Sequence, residues 1–238
     1  MKPTETVEQW ADSMKVLAKI FASDQLEHDG PVWQIPKRTI VPSFERETHP
    51  QVSVAASSIK THASAGEMQI GAMCFENYFG FDYLQQCIDA YRKAYSTGSH
   101  AMPRSNNYMG LYVATAFCAL TREEATRVAR DVALGYFKFI LDLYVPLSKT
   151  GSYEYLDRIQ LLEANEHNLD FLITETPSVM VGSPADFIER LRKLEAMGVD
   201  EVLLRIDGVP HEEIMKSIQL IGTEVIPVVD RDHKIAAE

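Results

Sequence analysis

A short apolar segment of the sequence leads directly into residues that carry hydroxyl groups. The apolar segment is Gln51–Ala56, and Ser57, Ser58 and Thr61 follow it, with Lys60 between them. If the segment is a buried strand and a helix begins after Ser58, backbone N–H groups and hydroxyls lie together at the positive end of the helix. Such an arrangement suits an anion. A serine between a strand and a helix is also an ordinary helix cap. The residues therefore leave two interpretations open, binding of a phosphoryl group and simple capping.

Other chemically active side chains give weaker signals. The seven histidines show no spacing typical of metal ligands, so we predict no metal site; they are His28, His49, His62, His100, His167, His211 and His233. His62 is nearest to the serine turn, and as a helical residue we expect it to be solvated. The three cysteines Cys74, Cys87 and Cys118 are odd in number and widely spaced. That pattern favours buried reduced thiols and a cytoplasmic location over a disulfide or metal site.

Composition excludes several classes of protein. The chain has 238 residues, of which 46% are hydrophobic and 24% charged, which is typical of a folded domain rather than a disordered chain. A formal net charge of −11 argues against a nucleic-acid partner, because phosphate backbones require a basic surface. No apolar run approaches the roughly 18 residues of a membrane span. The polar N-terminus does not resemble a secretory signal.

Apolar periodicity predicts alternating strands and helices from residue 51 onwards. The predicted strands are 51–56, 70–75, 109–120 and 201–206, and the predicted helices are 4–21, 59–68, 83–95, 121–144, 155–165, 184–197 and 210–221. Such alternation is typical of a parallel α/β sheet or barrel. A (β/α)₈ barrel has eight strands, and this sequence predicts only four.

Caps and helix-breaking residues define several boundaries. Thr121 with Glu124 predicts a helix start, and we expect that helix to stop near Pro146. Ser183 should cap the helix that begins at Pro184 and ends before Gly198. Prolines throughout 29–50 indicate an extended connection on the surface, and the weak pattern of 147–181 is typical of a lid or excursion.

The order of these motifs resembles that of bacterial luciferase-like flavin-dependent monooxygenases. The similarity is carried by VGSPADFIERLRKLEAMGVDEVLLRIDGVPHEEIMKSIQLIGTEVIP at 181–227, ATAFCALTREEA at 114–125, HPQVSVAASSIKTHASAGEMQIGAM at 49–73 and the opening ETVEQWADSMKVLAKIF. It covers nearly the whole chain. It implies a (β/α)₈ TIM-barrel type of fold, here as a C-terminal half-barrel of about four βα units that begins after the family's fourth strand, in a single domain over 1–238.

The resemblance also implies a cofactor and a site. Family members of this kind oxidise small organic substrates with dioxygen and reduced FMN, which a separate flavin reductase usually supplies. Their Ala-x-Ser-x-x-Thr turn holds the FMN phosphate, and by position this carries phosphate contacts onto Ser57, Ser58 and Thr61. The next strand end, 74–77, should face the flavin ring, with Phe75 against it and Cys74 as a small core residue. The family's usual catalytic histidines lie in its first four strands, so no catalytic residue is carried over.

Three hypotheses follow for the activity of the chain. It is an oxygenase that is completed by an N-terminal half from another chain or a longer precursor, a flavin-binding or partner protein without turnover, or a half-barrel that pairs with a second copy. Open strand edges would favour a homodimer, and the amphipathic first helix with Trp10 is a candidate to cover one of them.

Overall fold

The structure, a computed structural model, describes residues 3–42, 49–75, 78–99, 101–150 and 154–229. In chain order the elements are α1 (Pro3–Ala22), β1 (Gln25–Asp29), β2 (Gln34–Thr39), β3 (Ser53–Ala56), α2 (Ile59–Glu67), β4 (Gly71–Cys74), α3 (Phe81–Thr97), β5 (Met109–Val113), β6 (Thr115–Cys118), α4 (Arg122–Ser148), a 3₁₀ turn (Glu154–Arg158), α5 (Ile159–Glu163), α6 (Leu169–Glu175), β7 (Val179–Gly182), α7 (Pro184–Met197), β8 (Glu201–Leu204), α8 (His211–Leu220) and a π-helical turn (Ile221–Val225).

Parallel strands form the centre of the fold. One sheet has the order β3-β4-β5-β8, and β6 pairs with β7 beside it. The predicted α/β class is confirmed, and the structure adds β1, β2 and β7 to the four strands that the sequence pattern predicts. Among the described residues the strands form no closed barrel, which agrees with a partial barrel of the TIM type.

The predicted strand 109–120 is divided at Ala114, so its prediction as one element is wrong. Before this residue β5 pairs with β4 and β8, and after it β6 pairs with β7. The amide of Thr115 donates to the carbonyl of Ser178 at 3.2 Å, whereas the amide of Ala116 donates to the carbonyl of Arg205 at 2.9 Å. After Ala114 the chain therefore bonds to the β7 side through Thr115 and to the residue that follows β8 through Ala116.

The proline-rich connection holds more structure than predicted. β1 and β2 form an antiparallel hairpin with a register shift between Leu26 and His28. Pro36 lies inside β2, where a two-stranded sheet leaves room for a residue without an N–H group. Residues 43–48 of the predicted connection lie outside the described residues.

The helix that was predicted to stop near Pro146 continues through it to Ser148. Pro146 lies in the last turn, so only two helical residues follow the hydrogen bond that its missing N–H removes. Segment 147–181 also contains two short helices, a 3₁₀ turn and β7, and is more regular than its sequence pattern predicts.

The predicted helix boundaries at polar caps are confirmed. The amide of Glu124 donates to Thr121 Oγ1 at 3.2 Å, and Ser183 with Asp186 forms a complete capping box. Gly198 ends α7 in the left-handed region with φ of 99°, which favours glycine. In the described part of the chain, no helix is both long and apolar enough to cross a membrane.

Two apolar clusters pack on the strands. The first joins the sheet to α2, α3, α7 and the end of α8, with Leu84, Tyr91 and Phe187 among its fully buried members. The second joins β6 and β7 to α4, α5 and α6, and includes Phe137 and Leu162. The first cluster thus supports the strands that precede the serine turn, and the second supports the segment 147–181.

Helices α2 and α3 pack unusually close to each other at Gly66. A Cβ atom on this residue would overlap the carbonyl oxygen of Tyr91 and lie 2.9 Å from the amide nitrogen of Tyr95. Both distances are shorter than van der Waals contact, and both partners are helix backbone that cannot rotate away. Gly66 therefore sets how closely α2 approaches α3.

Gly66→Ala should lower the free energy of unfolding by about 1–3 kcal/mol, because the helices must separate to admit a methyl group. Gly135→Ala in the exposed middle of α4 is the matched control, since a Cβ there meets no atom within 4 Å. That control should raise the free energy of unfolding by up to about 1 kcal/mol through helix propensity. Urea denaturation measures both values, and equal effects of the two substitutions would contradict the close helix contact.

Candidate functional site

The serine turn and Phe75 lie side by side at the carboxyl ends of two neighbouring strands. The register of β3 and β4 pairs Ala56 with Cys74, the last residue of each strand. The amide of Phe75 donates to the carbonyl of Ala56 at 3.0 Å, which extends the ladder by one residue. The structure therefore brings Ser57, Ser58 and Phe75 together at the end of the sheet where parallel α/β folds place their sites.

Ser58 is the N-cap of α2, as the sequence predicts. Its backbone is extended, with φ of −112° and ψ of 152°, and its Oγ accepts a hydrogen bond from the amide of Thr61. Ser58 Oγ also lies 2.8 Å from Thr61 Oγ1. Only one of the two hydroxyl hydrogens can lie between these oxygens, so the other one is available to an acceptor outside the helix. Capping and ligand binding are thus compatible at this residue.

The carbonyls of Ala56, Ser57 and Ser58 are bound by protein donors, whereas the first two amides of α2 are not. Ala56, Ser57 and Ser58 accept from the Phe75 amide, the Tyr83 hydroxyl and the His62 amide, respectively. Within the described residues, no acceptor receives a hydrogen bond from the amides of Ile59 and Lys60 at the start of α2.

Electrostatics at the start of α2 also favour an anion. The first turn of α2 contains no acidic side chain, and Lys60 is exposed there. The positive end of the helix dipole adds to this charge. The donor set of two amides, one free hydroxyl hydrogen and a lysine fits a phosphate group.

His62 is completely buried, which contradicts the prediction of a solvated side chain. Its Nδ1 lies 2.8 Å from the carbonyl oxygen of Ser58. Since a carbonyl only accepts, Nδ1 must carry the hydrogen, and Nε2 is then an acceptor. Nε2 is buried and has no partner in the described part of the chain. Burial lowers the pKa of His62, and the hydrogen bond to Ser58 only partly opposes this, so the ring is neutral at pH 7.

The ring of Phe75 has one aromatic neighbour already. It stacks on Tyr112 of β5, with 4.7 Å between ring centroids and an angle of 15° between planes. Both rings are half-buried. Tyr112 is missed by the sequence prediction because it lies within an apolar run, and only the strand register reveals that its ring reaches Phe75. Glu76 and Asn77, predicted to lie at the same strand end, are outside the described residues.

The three cysteines and Asn106, a polar residue that precedes β5, contribute to the packing of the fold. All three cysteines are buried, and burial raises the pKa of the Cys118 thiol to about 11. Asn106 is buried and donates to the carbonyl of Val52 and to Ser53 Oγ, each at 3.2 Å, so it connects strand starts. In the described residues, no three His, Cys, Asp or Glu side chains form a group that could hold a metal ion.

A separate cavity of about 230 Å³ lies between α6, β7 and α7. Its three cations already have partners in the protein. Arg190 donates to the carbonyls of Ile173 and Thr176, Lys193 lies over the ring of Phe81, and Arg122 lies 3.6 Å from Asp186. Because these cations are already bound within the protein, the cavity is a weaker candidate for an anion than the serine turn.

Comparison with known proteins defines the class. A profile of luciferase-like monooxygenases matches residues 1–201, and the chain belongs to this family. The resemblance seen in the sequence is thereby confirmed. The oxygenase component of the flavin-dependent trigonelline monooxygenase from Acinetobacter baylyi is 25% identical over 227 residues, a match that covers 87% of this chain and 58% of that protein.

Solved structures show the same fold. Monooxygenase RslO1 from Streptomyces bottropensis aligns with a TM-score of 0.66 at 15% identity, over 96% of this chain and 63% of that one. The oxygenating constituent of 3,6-diketocamphane monooxygenase from Pseudomonas putida, solved with FMN, aligns with a TM-score of 0.60 at 20% identity, over 91% of this chain and 62% of that one. The chain thus spans less than two thirds of the length of each of these relatives.

Acidification should destabilise the fold through His62. Its pKa is lowered in the folded protein from the usual 6.5, so the unfolded chain takes up a proton first as the pH falls. The free energy of unfolding should therefore decrease below about pH 6.5, with a contribution of at most about 1.4 kcal/mol per pH unit from this one proton.

His62→Asn keeps a donor near the carbonyl of Ser58 and does not titrate. Urea unfolding of both proteins between pH 7 and pH 5 should give a shallower dependence for the variant. Other titrating groups contribute equally to both curves. Identical slopes would show that the buried ring does not remain neutral.

Proposed function

We propose that the chain is the flavin-binding, C-terminal portion of an FMN-dependent luciferase-like monooxygenase that oxidises a small organic substrate. The observation that carries this proposal is the turn from Ser57 to Thr61, where unbound amides, a free hydroxyl hydrogen and Lys60 meet at the start of α2. Family membership supports a flavin as the anionic ligand. Reduced FMN would supply the electrons for the activation of dioxygen.

The residues of this chain would hold and surround the cofactor. Ser57, Ser58 and Thr61 would bind its phosphate, together with the amides of Ile59 and Lys60. Phe75 would lie beside the flavin ring with Tyr112 behind it, since one face of Phe75 is already covered by Tyr112. This aromatic pair would form a dry wall that keeps water from the reacting atoms.

We also propose that segment 147–181 covers the site. Leu162, Leu169 and Leu172 belong to the second apolar cluster together with residues of α4, which keeps the short helices of the segment packed against α4. A cover of this kind would exclude water while substrate is bound. The proposed partners are the organic substrate and a flavin reductase, and the proposed compartment is the cytoplasm, which suits three buried reduced thiols.

The open sheet supports a second candidate function. In it the chain binds flavin but catalyses oxidation of substrate only after another chain has paired with it. In the described residues β3 and β8 are the outermost strands of their sheet, and Leu203 on β8 is 39% exposed. An exposed apolar edge strand favours pairing with a second copy or a complementary half-barrel. Oxygen consumption with NADH, FMN and a flavin reductase separates the candidates, since binding without turnover favours the second one.

The double substitution Ser58→Ala with Thr61→Val should weaken binding of FMN by roughly 10- to 100-fold. It removes the one free hydroxyl hydrogen of the Ser58–Thr61 pair, and a hydrogen bond from it to a charged phosphate is worth about 1.5–3 kcal/mol. Binding of riboflavin, which lacks the phosphate, should change less than about threefold. Flavin fluorescence titrations measure both dissociation constants.

The control is Thr121→Ala, which removes the N-cap of α4 and leaves the cap of α2 intact. It should leave the ratio of the two dissociation constants unchanged. Equal affinity of the unsubstituted protein for FMN and riboflavin would overturn the phosphate assignment.

A further inference from the structure

Two buried side chains outside the proposed phosphate contacts bind the backbone of the serine turn. The Tyr83 hydroxyl on α3 donates to the carbonyl of Ser57 at 3.2 Å, and His62 Nδ1 on α2 donates to the carbonyl of Ser58 at 2.8 Å. Tyr83 is 6% exposed and His62 is completely buried. We infer that Tyr83 and His62 are positioning residues that aim the turn's amides at the phosphate. This inference rests on the proposed function.

Peptide planarity connects these carbonyls to the amides. In a trans peptide the C=O of one residue and the N–H of the next point in opposite directions. When the carbonyl of Ser57 points to Tyr83, the amide of Ser58 must point away from α3. In the same way, the bond from His62 to the carbonyl of Ser58 fixes the amide of Ile59 on the opposite side. The amides of Ser58 and Ile59 are thus directed away from Tyr83 and His62, and that of Ile59 is one of the proposed phosphate contacts.

The helix alone does not require these donors. The carbonyl of Ser58 already accepts the ordinary helical bond from the His62 amide at 3.1 Å, and the imidazole adds a second donor to the same oxygen. Ser57 precedes the cap, so its carbonyl is not part of the helix ladder. A buried histidine whose Nε2 has no partner in the described residues is costly, which indicates that its other nitrogen has a specific role.

Helix α3 is a rigid support for Tyr83. About two helical turns after Tyr83, the Tyr91 hydroxyl accepts a hydrogen bond from the amide of Tyr108. It also lies within 3.1 Å of the carbonyls of Ile70 and Asn106. Tyr91 therefore fixes α3 to the amino ends of the strands, while Tyr83 contacts the turn at their carboxyl ends. The close contact at Gly66 prevents α2 and α3 from sliding past each other.

The test compares FMN with riboflavin in Tyr83→Phe and His62→Leu. Each substitution removes one donor and keeps an apolar side chain of similar bulk. The dissociation constant for FMN should rise roughly 3- to 10-fold, the effect of one hydrogen bond, while that for riboflavin stays within twofold. His62→Asn should recover most of the FMN affinity, because its amide nitrogen can reach the position of Nδ1.

Tyr95→Phe is the matched control, since it removes a hydroxyl from the same helix away from the turn. It should not change either dissociation constant. A parallel loss of FMN and riboflavin binding in Tyr83→Phe and His62→Leu, or no loss at all, would overturn the inference. Failure of the proposed function looks different, because the unsubstituted protein would then show no preference for FMN over riboflavin.

Discussion

The hydrogen bond from the amide of Phe75 to the carbonyl of Ala56 aligns the whole candidate site. It is the last rung of a parallel ladder that starts between Ser53 and Gly71, and it lies one residue beyond the end of β4. Four preceding residue pairs fix the register of the two strands. The serine turn and Phe75 therefore follow the strand ends at the same level along the strand direction. A shift by one residue would turn the side chain of Phe75 to the opposite face.

The environment of this turn divides its polar groups into two sets. Groups that accept hydrogen bonds are bound to the protein, by a backbone amide at Ala56, a phenol at Ser57 and an imidazole at Ser58. The amides of Ile59 and Lys60, which donate, remain unbound by the described residues. Such a separation gives the surface at the start of α2 a positive potential that depends on the orientation of the backbone more than on formal charge. A positive potential at this one point would allow a protein with a net charge of −11 to bind an anion there.

The sequence predicted the features that depend on local chemistry. Ser58, Thr121, Ser183 and Gly198 end or begin helices where expected, because caps satisfy backbone groups within a few residues. Features that depend on distant partners were missed. β7 lies in a segment with no periodicity of its own and is stabilised by pairing with β6. His62 has the sequence context of an exposed helix residue, and its burial follows from the packing of α3 against α2.

The division of the long strand at Ala114 has a structural consequence. Tyr112 precedes the junction and stacks on Phe75, whereas Thr115 follows it and starts the pairing with β7. Three residues of extended chain, about 10 Å, separate the two contacts. The aromatic wall and the segment that packs on β7 are therefore attached to one continuous backbone. The stretch of chain that carries Tyr112 of the aromatic pair is therefore the same stretch that pairs with β7 beside α5 and α6.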